Sequence, residues 1–181
     1  MIHPRAIIRS AACLFFGLLL LGNTPTLVTD CSPDQVSIRG DFNGAQLLCF
    51  GAITYPPGAR NQGSADVIVV VKGPQESIIL REKQQVAGIW INADSSEFRS
   101  APGYYAVAST KPIETIVDNK TADIYELGLD HLQLSPAGAI DSKELQRFTK
   151  GLVDLNSRSS LYRDMPESVS IENSVLYQAR I

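Results

Sequence analysis

Groups with chemical competence are sparse in this 181-residue chain, which has two histidines, His3 and His131. A zinc site needs Cys, His or carboxylate ligands gathered in a cluster. Asp130 and His131 would supply two neighbours and would need distant carboxylates to complete a set. A Ser-His-Asp triad has serines in plenty, but beyond the first residues only His131 to act as base. No G-x-S-x-G elbow precedes a helical pattern. Glu76 with Glu82, or Asp118 with Asp123, are the pairs that two-carboxylate glycoside chemistry would use. Carboxylates in turns are more often simply solvated. Gly40 and Gly44 lack the spacing and the following helix of a phosphate-binding loop. The expectation is no catalytic residues, no cofactor site and no metal site, with His131 on the surface of a helix. Trp90 would serve either as a ring on which a ligand stacks or as a core residue of a β-sandwich, and the core role is the expected one.

The three cysteines depend on compartment. Arg5 and Arg9 precede an apolar run, Ala11 to Gly22, in the order of a secretory leader and too short for a confident membrane span. Residues 1–26 are therefore expected to be a signal peptide or an N-terminal anchor, with a cut near Thr26. Val28-Thr29-Asp30-Cys31 is a poor lipid-attachment sequence, because Asp30 stands where a small residue is needed. Export would remove Cys13 and leave Cys31 and Cys49 in an oxidising compartment. As a disulfide they would close a loop of about 18 residues, stabilising by roughly 3 kcal/mol in the chain-entropy view. The alternative is two unpaired thiols, with Cys49 packing as a small apolar residue. The net charge of −3 becomes −5 once Arg5 and Arg9 are gone, leaving 14 basic against 19 acidic residues. No nucleic-acid partner is expected, since phosphate binding needs a basic face.

The stretch Ala65 to Thr110 is dense in β-branched and aromatic residues. Val67 to Val71 is an unbroken apolar run that suits a strand buried on both faces. Gly73-Pro74 ends it. Ser77 to Leu80 resumes a strand, Arg81 to Gln85 is an exposed turn or strand edge, and Val86 to Asn92 is a strand with a bulge at Gly88. Pro102-Gly103 turns the chain into a strand at Tyr104 to Ala108. Earlier, Gln35 to Arg39 alternates as a half-buried strand, Asp41 to Gly44 turns, and Gln46 to Ile53 is a second strand. Pro112 opens a helical turn through Val117, and Asp123 to Leu134 is a short helix interrupted by Gly128. Asp141 with Glu144 has capping-box spacing, and Leu145, Phe148, Leu152 and Leu155 line one helix face, fraying near Asn156-Ser157. Ser168 to Ile171 and Val175 to Ile181 form a final hairpin. These elements predict a mainly β fold: an antiparallel, immunoglobulin-like β-sandwich over residues 27–181, with a helical insertion at about 112–158, preceded by a signal-type helix.

Several segments carry a family resemblance. They are Phe42-Asn43-Gly44-Ala45, Leu47-Leu48-Cys49-Phe50-Gly51-Ala52-Ile53, Asp66 to Pro74, Val86-Ala87-Gly88-Ile89-Trp90-Ile91-Asn92, Tyr105 to Pro112, and the late strand Ser174 to Ile181. Together, from about Leu27 onward, they resemble the alphaproteobacterial transmembrane-protein family Alph_Pro_TM. The resemblance implies an exported protein with a β-rich extracytoplasmic domain and a C-terminal membrane helix. It implies no assigned activity and no transferable catalytic residues. Family members continue past the late strand into a hairpin and a membrane helix, so a chain stopping at Ile181 is expected to be a fragment, or else a periplasmic variant without its anchor. On the fragment reading, Val175 to Ile181 would lie at an open sheet edge and Leu176, Ala179 or Ile181 would lose cover.

The functional expectation is a non-enzymatic interaction module at the periplasmic face of the inner membrane, beside an inner-membrane protein partner. Membrane association would run through the N-terminal segment or the missing C-terminal helix. The alternatives are a small-ligand binder or hydrolase with its site between the sandwich and the Thr121 to Asn156 insertion, and a structural envelope protein.

Overall fold

The computed structural model describes residues 25–32, 46–56 and 65–181. In chain order the strands and helices are β1 (Thr26–Ser32), β2 (Leu48–Thr54), β3 (Ile68–Lys72), β4 (Gln75–Val86), β5 (Ile89–Pro102), β6 (Tyr105–Ser109), α1 (Ile113–Ile116), α2 (Asn119–Tyr125), a 3-10 turn (Leu129–His131), β7 (Ser135–Pro136), α3 (Ser142–Arg158), β8 (Tyr162–Met165), β9 (Val169–Glu172) and β10 (Leu176–Arg180). The protein is mainly β, as expected. Among the described residues the strands form three sheets, ordered β1-β2-β10-β9, β3-β6-β8 and β4-β5-β7, rather than the two of an immunoglobulin-like sandwich. Every ladder is antiparallel except β6 with β8, which is parallel. The helical insertion explains that exception. Parallel neighbours need a long crossover, usually helical, and residues 113–158 are the crossover from β6 to β8. The signal-type segment, the strand expected at Gln35 to Arg39 and the turn at Asp41 to Gly44 lie outside the described residues.

Strand β6 is buried over its whole length, and its alternation serves two cores. Tyr105 and Val107 point into the first, with Phe98, Ala101, Ile113, Leu132, Leu134, Phe148, Leu152 and Tyr162. Ala106 and Ala108 point into the second, with Ile53, Val67, Val169, Tyr177, Ala179 and Ile181. The period of two that splits a strand's side chains between faces does this directly. The run after Val67 also faces both ways: Ile68 and Val70 pack on the first core, Val69 and Val71 on the second. It is only half-buried because β3 is the outer neighbour of β6, not the central strand.

Local signals account for the helices. Asp141 caps α3, its carboxylate accepting from the Lys143 and Glu144 N–H groups at 2.8 and 3.0 Å. Phe148 and Leu152 are buried, Leu145 is half-buried, and Leu155 is exposed. The helix runs on to Arg158, which pairs with Asp154 one turn back, so it does not fray at Asn156-Ser157. Helix α2 starts before Asp123 because Asp118 caps it through Thr121 N–H at 2.9 Å.

The C-terminal hairpin forms where expected, with Asn173 and Ser174 both at positive φ and the Val175 N–H donating to Glu172 O at 3.0 Å, in a three-residue loop between the paired Glu172 and Leu176. Its last strand is not an open edge. Strand β10 pairs with β2 on one side and β9 on the other, and Leu47 and Ile181 exchange backbone hydrogen bonds of 2.8 and 2.9 Å. Ala179 and Ile181 are buried while Leu176 is exposed on the outer face. The edges of that sheet are β1 and β9. On β1, Cys31 lies directly opposite Cys49, with Cα atoms 4.1 Å apart and the sulfurs joined. Gly51 allows β1 to approach: a Cβ there would sit 2.0 Å from the Val28 carbonyl oxygen.

One side chain ties β6 to the crossover. The Tyr105 hydroxyl donates to Glu126 O at 2.6 Å and accepts from Gly128 N–H at 3.0 Å. Burial pushes its pKa up to about 12, against the opposing Gly128 N–H bond. The folded value lies above the unfolded one, so this contribution is whole below pH 10 and is lost as pH rises towards 12. Tyr105→Phe is expected to destabilise the protein by about 2 kcal/mol, because it leaves a buried N–H and C=O without a partner. It should also flatten the alkaline limb. Equilibrium denaturation at pH 7 and pH 11 checks both effects.

Candidate interaction site

Strands β4 and β5, of 12 and 14 residues, make the longest hairpin among the described residues. Its base is packed: Phe98 and Ala101 are core residues, and Ile78 and Leu80 lie against them. Strand β7 pairs with β5 only at Phe98 and Ser100. Beyond Glu82 and Asp94 the hairpin leaves the body, and every residue from Lys83 to Ala93 is exposed. A register shift falls at that boundary, where Glu82 pairs with Asp94 but Lys83 pairs with Asn92, leaving Ala93 as an extra residue. Such bulges bend a strand and increase its twist.

A single cation grips the hairpin at the bulge. Arg147, on α3, donates through one terminal nitrogen to Glu82 and through the other to Asp94. The planar, always-charged guanidinium suits a two-carboxylate grip better than an ammonium would. The Arg147 hydrogen bond, helped by the Ser95 N–H, holds the Asp94 carboxyl below its usual range.

The distal hairpin corrects two expectations. Of the turn or strand edge expected at Arg81 to Gln85, the strand edge is what forms, as part of the outer strand β4. Gly88 is not a bulge: Ala87 and Gly88, at φ 51° and 85°, form the two-residue turn at the tip. Trp90 is not in the core and is 66% exposed. Val86, Ile89 and Ile91 beside it are exposed too. Strand pattern places these residues correctly, but apolar character does not decide whether a strand end is covered.

The remaining candidates are scattered. His131, half-buried at the end of the 3-10 turn, has its Nδ1 2.7 Å from Asp123 Oδ1, with Asp130 the next residue back. Asp118 is occupied in capping α2. Glu76 and Glu82 are six positions apart on one strand, roughly 20 Å. Asp164, which sequence reasoning passed over, has its pKa raised first by burial and then by Glu114 and Asp130. Among the described residues no group of three His, Cys, Asp or Glu is placed to hold a metal ion. A cleft of about 370 Å³ does lie between hairpin and insertion, lined by Leu80, Arg81, Glu82, Arg147, Phe148 and Leu155 among others. Its Glu82 is taken by Arg147, and Asp154 by Arg158.

A mainly β domain with a helical crossover and a projecting, braced hairpin defines a class by architecture rather than by a catalytic centre. Residues 26–181 match the family described as putative transmembrane protein (Alph_Pro_TM), and the chain belongs to that family. Neither a curated protein nor a solved structure matches it. Among the described residues no helix is long and apolar enough to cross a membrane.

The grip on the hairpin predicts a specific loss. Arg147→Ala is expected to leave the thermal midpoint nearly unchanged, because the pair is exposed, while freeing the tip. Asp94 has a lowered folded pKa, so the grip is present above its ordinary value of 3.8 and is lost as pH falls below it. The anisotropy decay of Trp90, the sole tryptophan, should gain a fast component in the variant at pH 7 and in the unaltered protein on acidification.

Proposed function

We propose that this chain is a non-enzymatic interaction module, exported and held at the periplasmic face of the inner membrane, where it works beside an inner-membrane protein. In this reading residues 1–26 are the leader or anchor and 27–181 the extracytoplasmic domain. The observation that carries the reading is the hairpin, whose apolar tip stands clear of both cores and is held in place by Arg147. A protein gains nothing in stability from exposing Ile89, Trp90 and Ile91 on a braced arm, and exposed apolar clusters of this kind mark interaction sites. Membership of a membrane-protein family and the leader-like order of Arg5, Arg9 and Ala11 to Gly22 support the location. A ligand-binding or hydrolytic role in the cleft beside α3 has weaker support, because carboxylates there are engaged by arginines.

Fusing residues 1–40 to a reporter active only outside the cytoplasm is expected to give activity, and a silent fusion would overturn the location. In the full chain, a photocrosslinker at Trp90 should capture membrane-fraction material that one at Lys150, exposed on α3, does not. Equal capture at both positions would overturn the role of the hairpin.

A further inference from the structure

The surface that the tip is built to meet can be narrowed by its composition. From Gln84 to Asn92 there are nine consecutive residues without an ionisable group. Paired residues share a face, so Val86, Ile89 and Ile91 lie on one face of the ribbon and Trp90, opposite Gln85, on the other. Both sides of the tip are therefore uncharged and each presents apolar surface, the second through the Trp90 ring beside Gln85 and Asn92. A docking edge or a helix-covered sheet would be apolar on one side only. From Glu82 to the turn the ribbon extends roughly 15 Å. A Cβ added at Gly88 would meet nothing within 4 Å, so the turn itself stands in open space.

The charges behind the tip are unequal in number. Arg147 is shared between Glu82 and Asp94, so that triad keeps one net negative charge. Arg81 and Lys83 are exposed and belong to none of the ion pairs among the described residues. In a chain whose overall charge is −3, the root of this hairpin sets three cations, Arg81, Lys83 and Arg147, against two carboxylates, Glu82 and Asp94, and is a cationic collar of net charge +1.

We propose that the hairpin tip inserts into the interfacial zone of a lipid bilayer carrying anionic headgroups, with Ile89, Trp90, Ile91 and Val86 entering the acyl boundary and Arg81 and Lys83 meeting the phosphates. This rests on the interaction-module reading and names the partner of its hairpin. Tryptophan favours the headgroup level, where one part of the ring is apolar and its N–H stays wet. A two-faced apolar tip is covered completely by a medium that surrounds it. Among the described residues the outer backbone groups of β4 and β5 near the turn have no ladder partner, so the tip stops at interfacial depth, where water and headgroups still satisfy them. A cationic collar gains from the negative surface of such a bilayer.

The sole tryptophan makes the test direct, because its emission reports the tip and not any other part of the full chain. With protein-free vesicles of phosphatidylglycerol and phosphatidylethanolamine, Trp90 emission should shift to the blue and be quenched by brominated acyl chains. Ile89→Ser with Ile91→Ser, both at exposed positions, should weaken this about tenfold with an unchanged unfolding midpoint. Lys83→Glu should weaken binding to anionic vesicles and leave weak binding to neutral ones. Unshifted, unquenched emission on protein-free vesicles overturns the proposal, as does quenching that the two isoleucine changes leave intact. If emission instead shifts only on native membrane vesicles, and protease treatment of those vesicles abolishes the shift, the occupant is a membrane protein. That result overturns lipid insertion while the interaction module stands.

Discussion

The fold depends on one strand being buried on both faces. The five residues of β6 are all buried, and the two cores meet through its backbone. Small side chains at Ala106 and Ala108 let the β1-β2-β10-β9 sheet come close on one side. The large Tyr105 on the other side reaches the helical crossover. A strand in that position cannot tolerate an unpaired backbone group, since water cannot reach it. It has neighbours on both sides, β3 antiparallel and β8 parallel. The parallel partner in turn requires the long helical crossover, so the insertion is a consequence of how β6 is covered.

The hairpin begins where that coverage ends. Strand β5 is continuous with the first core at Phe98 and Ala101, and the same strand carries Trp90 into solvent. The bulge at Asp94 and the Arg147 grip mark the boundary between the two regimes. On the packed side, apolar side chains lower the free energy by leaving water. On the distal side the same residue types remain exposed, and their placement has physical sense only as part of a second surface.

Much of the strand pattern was legible in the sequence because turn residues and alternation agree with the tertiary contacts. Gly73-Pro74, Pro102-Gly103 and the Asp141 cap fall where local chemistry places them, and so does the hairpin turning at Asn173. The misses have separate causes. Ala87-Gly88 is a weak turn signal, because an alanine at positive φ is unfavourable and Asn or Gly would be expected there. Strand β8, Tyr-Arg-Asp-Met, has charged residues that hide a pattern in which only Tyr162 is buried. Sheet order is decided by which strand the crossover returns to, and that long-range choice left no local signal. For the candidate site, the residues around Trp90 were visible but their exposure was not. Arg147 looked like one more polar residue on a helix until the fold set it across Glu82 and Asp94.

The most direct measurement is residue-resolved hydrogen exchange on the full chain at neutral pH. If β6 is shared by two cores and the distal hairpin stands outside both, amides of Tyr105 to Ser109 should exchange only by global unfolding, and those of Gln84 to Ile91 orders of magnitude faster. Equal protection in the two stretches, or exchange of β6 by local opening, would contradict the account.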